Sequence, residues 1–151
     1  MWTMRTLIVG VFTLLCLTKA LSQNGITRNV ESSLHRIEFA IREGSPAAVE
    51  DLIQSSIIMR LEDSLYQGIS SITAMNLLKK FFADKDSIDF RFGLPSKGTM
   101  TFSRGGKRES TQVDVWLRRD RGEIGIYALN ISNYPAATMF LNLHPDTSKA
   151  E

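Results

Sequence analysis

From Ile88 to Ser132 the chain alternates apolar with polar residues, and a period of two sustained over that length calls for β-strands with one buried and one solvated face. Ile88, Phe90, Phe92 and Leu94 alternate with Asp89, Arg91 and Gly93. Met100 and Phe102 alternate with Thr99, Thr101 and Ser103, and Val113, Val115 and Leu117 with Gln112, Asp114 and Trp116. Gly105-Gly106 and Asp120-Arg121-Gly122 supply hairpin turns between them. The last strand, Glu123 to Ser132, changes phase part-way: Ile124 and Ile126 are in step, whereas Leu129 and Ile131 are one residue out of step with them. A one-residue slip turns every later side chain to the opposite face, so the spacing predicts a β-bulge near Tyr127-Ala128.

Upstream the period is helical. Val30, Leu34, Ile37 and Ile41 share one stripe, with Glu31, His35, Glu38 and Arg42 opposite, which predicts an amphipathic helix over 30–43 that stops at Gly44. Ser45-Pro46 opens a short second helix, about 46–54, that offers Val49, Leu52 and Ile53 to a core. Ser56 to Glu62 reads as a strand, and Asp63-Ser64 turns the chain into another near Leu65 to Ile69. Ser70 or Ser71 caps a third helix, about 72–83, with Ile72, Met75, Leu78 and Phe82 inward. Helices grouped against consecutive hairpins make an α+β domain, three helices packed on an antiparallel sheet. The pattern stops near Asn133, leaving a tail, 133–151, with one apolar cluster at Met139-Phe140-Leu141 and Leu143.

Residues 1–22 are of another kind. A basic head at Arg5, an apolar run from Leu7 to Leu17 and small residues at Ala20 and Ser22 describe a secretory signal peptide, cleaved before Gln23. The run is shorter than the roughly 20 residues a bilayer span needs, so no integral membrane segment is expected after cleavage. Lipidation at Cys16 is not expected either, because Leu15 precedes it and the apolar run continues to Leu17. Cleavage removes the single cysteine, and with it any disulfide or thiolate ligand. Of 18 basic residues Arg5 and Lys19 leave with the leader, so 16 remain against 16 acidic ones. A neutral chain lacks the cationic excess that drives nucleic-acid binding. The expected organisation is a signal peptide at 1–22, a linker at 23–29, a folded domain at 30–132 and the tail, in a periplasmic or secreted protein.

Several motifs carry a likeness to known proteins: Ala40-Ile41-Arg42-Glu43-Gly44-Ser45 with Val49 and Leu52, Tyr66, and Leu77-Leu78-Lys79-Lys80-Phe81-Phe82. Lys97-Gly98, Val113-Asp114-Val115-Trp116-Leu117 before the Asp120-Arg121-Gly122 hairpin, and Ile126 with Leu129 and Ile131 complete the set. On these positions, over about residues 30–132, the chain resembles the nuclear transport factor two-like superfamily, and within it a small secreted bacterial family, number 4783 among the domains of unknown function. The resemblance implies a cone of three helices wrapped by a strongly curved antiparallel sheet. It further implies that any enzyme of this kind would carry an Asp, His or Tyr inside the cone, and that pairing through the outer sheet face is a natural homodimer. The tail beyond Asn133 departs from the family pattern.

Chemistry in the chain itself is sparse. Asp89 and Asp114 fall on polar phases and Glu62 and Asp63 at a turn, so no carboxylate is expected inside the cone. His35 has Glu31, Glu38, Phe39 and Arg42 as helical neighbours, the surroundings of a solvated face. His144 stands too far along the chain to make a metal pair with it, and neither a metal nor a cofactor is expected. Tyr66, Phe81, Trp116 and Tyr127 are candidates to line a cavity for a small apolar ligand, unless they serve as core or as cover for the sheet. Asp114, Trp116 and Arg118 are candidates for an interface on the outer face, with the apolar tail as a competing cover. Arg104, Lys107 and Arg108 form one basic turn and Arg118, Arg119 and Arg121 another, on the order of 30 Å apart along a strand. Gly105-Gly106 and Gly93 open no helix after a strand, so a phosphate loop is not indicated, and Asn130-Ile131-Ser132 matches a glycosylation acceptor inside a strand. Together these describe an exported, non-catalytic domain that binds a partner protein or a small apolar ligand. The alternative is a cone-fold enzyme of isomerase or hydrolase type with an acid/base group in its cavity.

Overall fold

The computed structural model describes residues 29–140. The expected leader and most of the linker, together with Leu141, Leu143 and His144 of the tail, lie outside the described residues. Helix α1 spans residues 29–42 and buries Ser33, Ile37, Ala40 and Ile41. It ends as its sequence requires. Gly44 takes φ +60°, its N–H donates to Ile41 O at 3.0 Å, and the Ser45 N–H donates to Ala40 O at 2.9 Å, which closes the last turn in a Schellman motif. The expected second helix is a 3-10 helix, Pro46–Leu52, which the chain leaves at Ile53 to enter a strand. Helix α2, Ser71–Phe82, begins with Ser70 accepting from the Thr73 N–H at 3.2 Å. Its buried stripe is Ala74, Met75, Leu78, Phe81 and Phe82, and Ile72, expected inward, is 74% exposed. At 3.6 residues per turn Ile72 stands about 120° from the centre of that stripe.

Six strands follow the expected order: β1 Ile53–Leu61, β2 Ser64–Ile69, β3 Asp86–Leu94, β4 Lys97–Arg104, β5 Lys107–Asp120 and β6 Glu123–Ser132. They form one sheet in the order β2-β1-β6-β5-β4-β3. The α+β architecture of helices on a curved sheet is as expected, with one correction to its strand directions. Every hairpin neighbour pairs antiparallel, but β1 runs parallel to β6. These two strands are joined by no turn. Helix α2 and four strands separate them in sequence, so no hairpin fixes their relative direction and packing is free to set it.

The predicted bulge is present. Trp116 pairs with Ala128 and Leu117 with Ile126, which leaves Tyr127 as the extra residue of β6. The slip brings Ile126, Leu129 and Ile131 onto one face, where they join Ile57, Met59, Val113, Val115, Phe90 and Met100 in a core roofed by α1, α2 and the 3-10 helix. Gly98 is required on β4 by a close approach. A Cβ there would lie 2.4 Å from Arg91 O and 2.6 Å from the Phe90 ring.

Two substitutions test this core. Phe90→Ala, at a residue 1% exposed, should lower unfolding free energy by about 3–5 kcal/mol in denaturant melts. Gly98→Ala should cost at least about 1–3 kcal/mol, because the backbone carbonyl it meets cannot give way as a side chain can. A loss below about 1 kcal/mol at both sites would put the buried face elsewhere.

Candidate functional site

Between the helices and the sheet the described residues leave a void of about 20 Å³, room for about one water-sized sphere, and all twelve residues that line it are apolar, among them Ile41, Val49, Leu78, Phe82 and Ile126. No titratable side chain reaches it through that lining.

A charged cluster closes the core at the end of α2. Lys85 has a side chain only 2% exposed and lies 3.7 Å from the centre of the Phe81 ring. Its ammonium donates to Phe81 O at 2.6 Å, satisfying a carbonyl of the last helical turn, and to Asp84 Oδ1 at 2.9 Å. Glu62 stands 3.5 Å from the same ammonium and also pairs with Arg104, which lies 3.3 Å from Asp84 and 3.9 Å from Glu109. The turn that carries Glu62 adopts φ +53°. The hydrogen bond from Lys85, helped by the charges of Lys85 and Arg104, holds the Asp84 carboxyl below the usual carboxylate range. Its hydrogen bond with Glu62 raises the Arg104 pKa further. This arrangement clamps the β1–β2 turn and the end of β4 to the end of α2.

On the other side of the sheet a second polar network begins at Asp114. Asn130 Nδ2 donates to Asp114 Oδ2 at 3.0 Å, Ser132 Oγ donates to Asn130 Oδ1 at 2.8 Å, and the Tyr134 N–H donates to Ser132 Oγ at 3.2 Å. Lys97 Nζ lies 3.7 Å from Asp114 Oδ1. This chain of bonds directs residues 133–136 into a wall beside β3, β4 and β5. Between wall and sheet runs an open trough of about 780 Å³, floored by Arg91, Lys97, Thr99, Thr101, Gln112 and Asp114 and walled by Asn133, Tyr134 and Pro135. Beyond the wall a second 3-10 helix, Ala136–Met139, lies over the outer face, with Phe140 edge-on to Trp116 at 5.2 Å between ring centres.

No protein-family model matches this sequence, and no curated protein does at significant similarity. Solved structures do match. A DUF4783 family protein from Bacteroides uniformis superposes with a TM-score of 0.52 at 13% identity, covering 67% of this chain and 96% of that one. The corresponding figures for a DUF4783 family protein from Bacteroides ovatus are 0.51, 10%, 66% and 94%. The designed protein Rd1NTF2_04 with long sheet gives 0.53 at 14% identity, over 68% of this chain and 98% of its own. The chain has the nuclear transport factor two-like cone fold.

Within that cone the four candidate aromatics do not converge. Phe81 is core, edge-on to Phe82 at 5.1 Å, and carries Lys85 on its ring. Tyr66 is half-buried on β2 opposite Met59, Tyr127 sits at the bulge with Arg118 5.4 Å from its ring, and Trp116 lies on the outer face under Phe140. The interface candidates Asp114, Trp116 and Arg118 do share the outer face. Asp114, expected in solvent, is only 9% exposed, because Asn130 and the start of the tail cover it. Arg118 instead donates to Gln54 at 2.8 Å. His35 is exposed, in a shallow depression of about 520 Å³ with Phe39 and an Arg36 that is tied to Asp51 and to Ala48 O. Among the described residues no group of three or more His, Cys, Asp or Glu is placed to hold a metal. Asn130 and Ser132 of the glycosylation-type motif are fully buried and bonded to each other.

Sequence reasoning missed Lys85 and Arg60, and it read Asn130 and Ser132 only as a glycosylation-type motif. The signal for Arg60 and for the pair was their placement on the outward phase, opposite Ile57, Met59 and Leu61 in β1 and Leu129 and Ile131 in β6.

Lys85→Met should let the Asp84 carboxyl titrate nearer its ordinary value, read from its carboxyl carbon by NMR. A carboxyl whose pKa is lowered by folding stabilises the fold above the ordinary carboxylate range, and that contribution is lost as pH falls through the lowered value. The stability of the wild type relative to Lys85→Met should therefore decline as pH falls below about 4. An unchanged Asp84 titration would dissolve the clamp.

Proposed function

We propose that this chain is an exported, non-catalytic binding domain that holds a partner protein against the outer face of its sheet. The observation that carries the reading is the contrast between the two sides of the sheet. The interior has room for about one water and an apolar lining, whereas the outer trough has about 780 Å³ and a floor of hydroxyl, amide and mixed charged groups. Ligand sites are concave and of several hundred Å³, and general acid–base chemistry needs titratable groups converging on one space. The packed interior favours binding over catalysis inside the cone, and it leaves the small apolar ligand without a chamber there. Export rests on the pattern of residues 1–22.

Protein purified from its own host should carry its partner in native mass spectrometry. Thr99→Arg combined with Gln112→Arg, both at exposed positions on the trough floor, should remove that partner while leaving the melting temperature unchanged. A partner retained by the double variant refutes the outer-face assignment. The same spectra test export: the mature chain should begin near Gln23, and a chain that keeps Met1, or carries acyl mass on Cys16, refutes it.

A further inference from the structure

The outer face contains a second surface, adjoining the trough at Tyr134 and Ala136 and lying over β1, β6 and β5. Ala128 and Met139 are both fully buried, yet neither belongs to the main core cluster, which lies across the sheet. Ala128 sits on β6 between Ile58 of β1 and Trp116 of β5. What covers it is the segment 136–140. Arg60, 9% exposed, donates to Thr138 Oγ1 at 2.5 Å and holds its guanidinium 5.5 Å from the Tyr134 ring. Trp116 meets the Phe140 ring edge-on.

The covering segment cannot owe its shape to itself. Ala136–Met139 is a single 3-10 turn, and an isolated helix of that length has no stability of its own. The face imposes the shape, so it already recognises a short peptide. It does so through an arginine donor for a hydroxyl and a tryptophan in T-shaped contact with an aromatic ring, on either side of the buried Met139. Trp and Arg are the residues that dominate binding at protein interfaces, and here they flank the one fully buried side chain of the segment.

We infer that the outer face around Arg60, Ala128 and Trp116 is a peptide-docking surface, occupied in cis by Thr138-Met139-Phe140. Its partner in trans is a segment of the same chemistry, a hydroxyl residue followed by methionine and an aromatic, which binds when the chain's own segment is displaced.

The probe is a fluorescent synthetic peptide with the sequence of residues 134–140, and the protein is the mature chain from Gln23, in which Trp116 is the one tryptophan. Met139→Asp releases the segment, and Phe140→Ala, at a half-buried position outside the core, does so with less risk to folding. An occupant in cis raises the apparent dissociation constant by the inverse of the open fraction, so a released variant should bind the peptide at least about tenfold more tightly than wild type. Adding Trp116→Ala should abolish that gain. Thr99→Arg with Gln112→Arg should leave it intact, which separates this surface from the trough. Equal binding by wild type and both released variants, no binding by any, or self-association of the released variants in place of peptide binding overturns the proposal, the last by making a second copy the occupant.

Discussion

The rest of the structure depends on the extra residue in β6. The strand is the third in the six-strand order, paired parallel with β1 and antiparallel with β5, so both its edges are committed. Without Tyr127 as a bulge, Ile126 could not share a face with Leu129 and Ile131, and half of the strand's apolar residues would point into water. With it, one face of β6 completes the core, and the other presents Ala128, Asn130 and Ser132. Those three small or polar residues are what the C-terminal segment covers. One local irregularity therefore sets the composition of both sides of the sheet.

Each side is closed by a different kind of contact. The core side is sealed by packing, to the point where the void is smaller than a ligand, and Phe90 presses on the one β4 position that has no Cβ. The outer side is closed by a buried polar chain from Asp114 to Tyr134, in which each hydrogen bond supports the next. Burial of Asn130 and Ser132 is tolerated because each is satisfied, and their mutual bond directs the backbone at Tyr134 over the sheet. The trough and the docking face lie on either side of this latch.

The Lys85 cluster shows how a charge can be buried at the rim of such a core. Its ammonium finds a helix-terminal carbonyl, two carboxylates and an aromatic face, so the desolvation that its burial demands is offset from several directions. The three segments it joins are far apart in sequence: Glu62 in the first hairpin turn, Asp84 after α2 and Arg104 at the end of β4.

The fold was legible in the sequence because its signals are local and periodic. Alternation from Ile88 onward, the Gly44 stop, the Ser70 cap and the phase slip at Tyr127 each depend on residues within a few positions of one another, and each is seen in the structure. The 3-10 character of Pro46–Leu52 and the exposure of Ile72 escaped because helix type and the width of a buried arc are set by what packs against them. The parallel pairing of β1 with β6 escaped for a related reason, since no turn joins them and only the assembled core decides which strand fills the gap. At the candidate site, sequence placed Asp114, Trp116 and Arg118 on the outward phase by parity alone. Whether that face meets solvent, a second chain or the protein's own tail depends on contacts such as Arg60 with Thr138, which are 78 residues apart. Periodicity assigns a side chain to a face, and only tertiary structure decides what that face touches, because burial is a property of the neighbours and not of the residue.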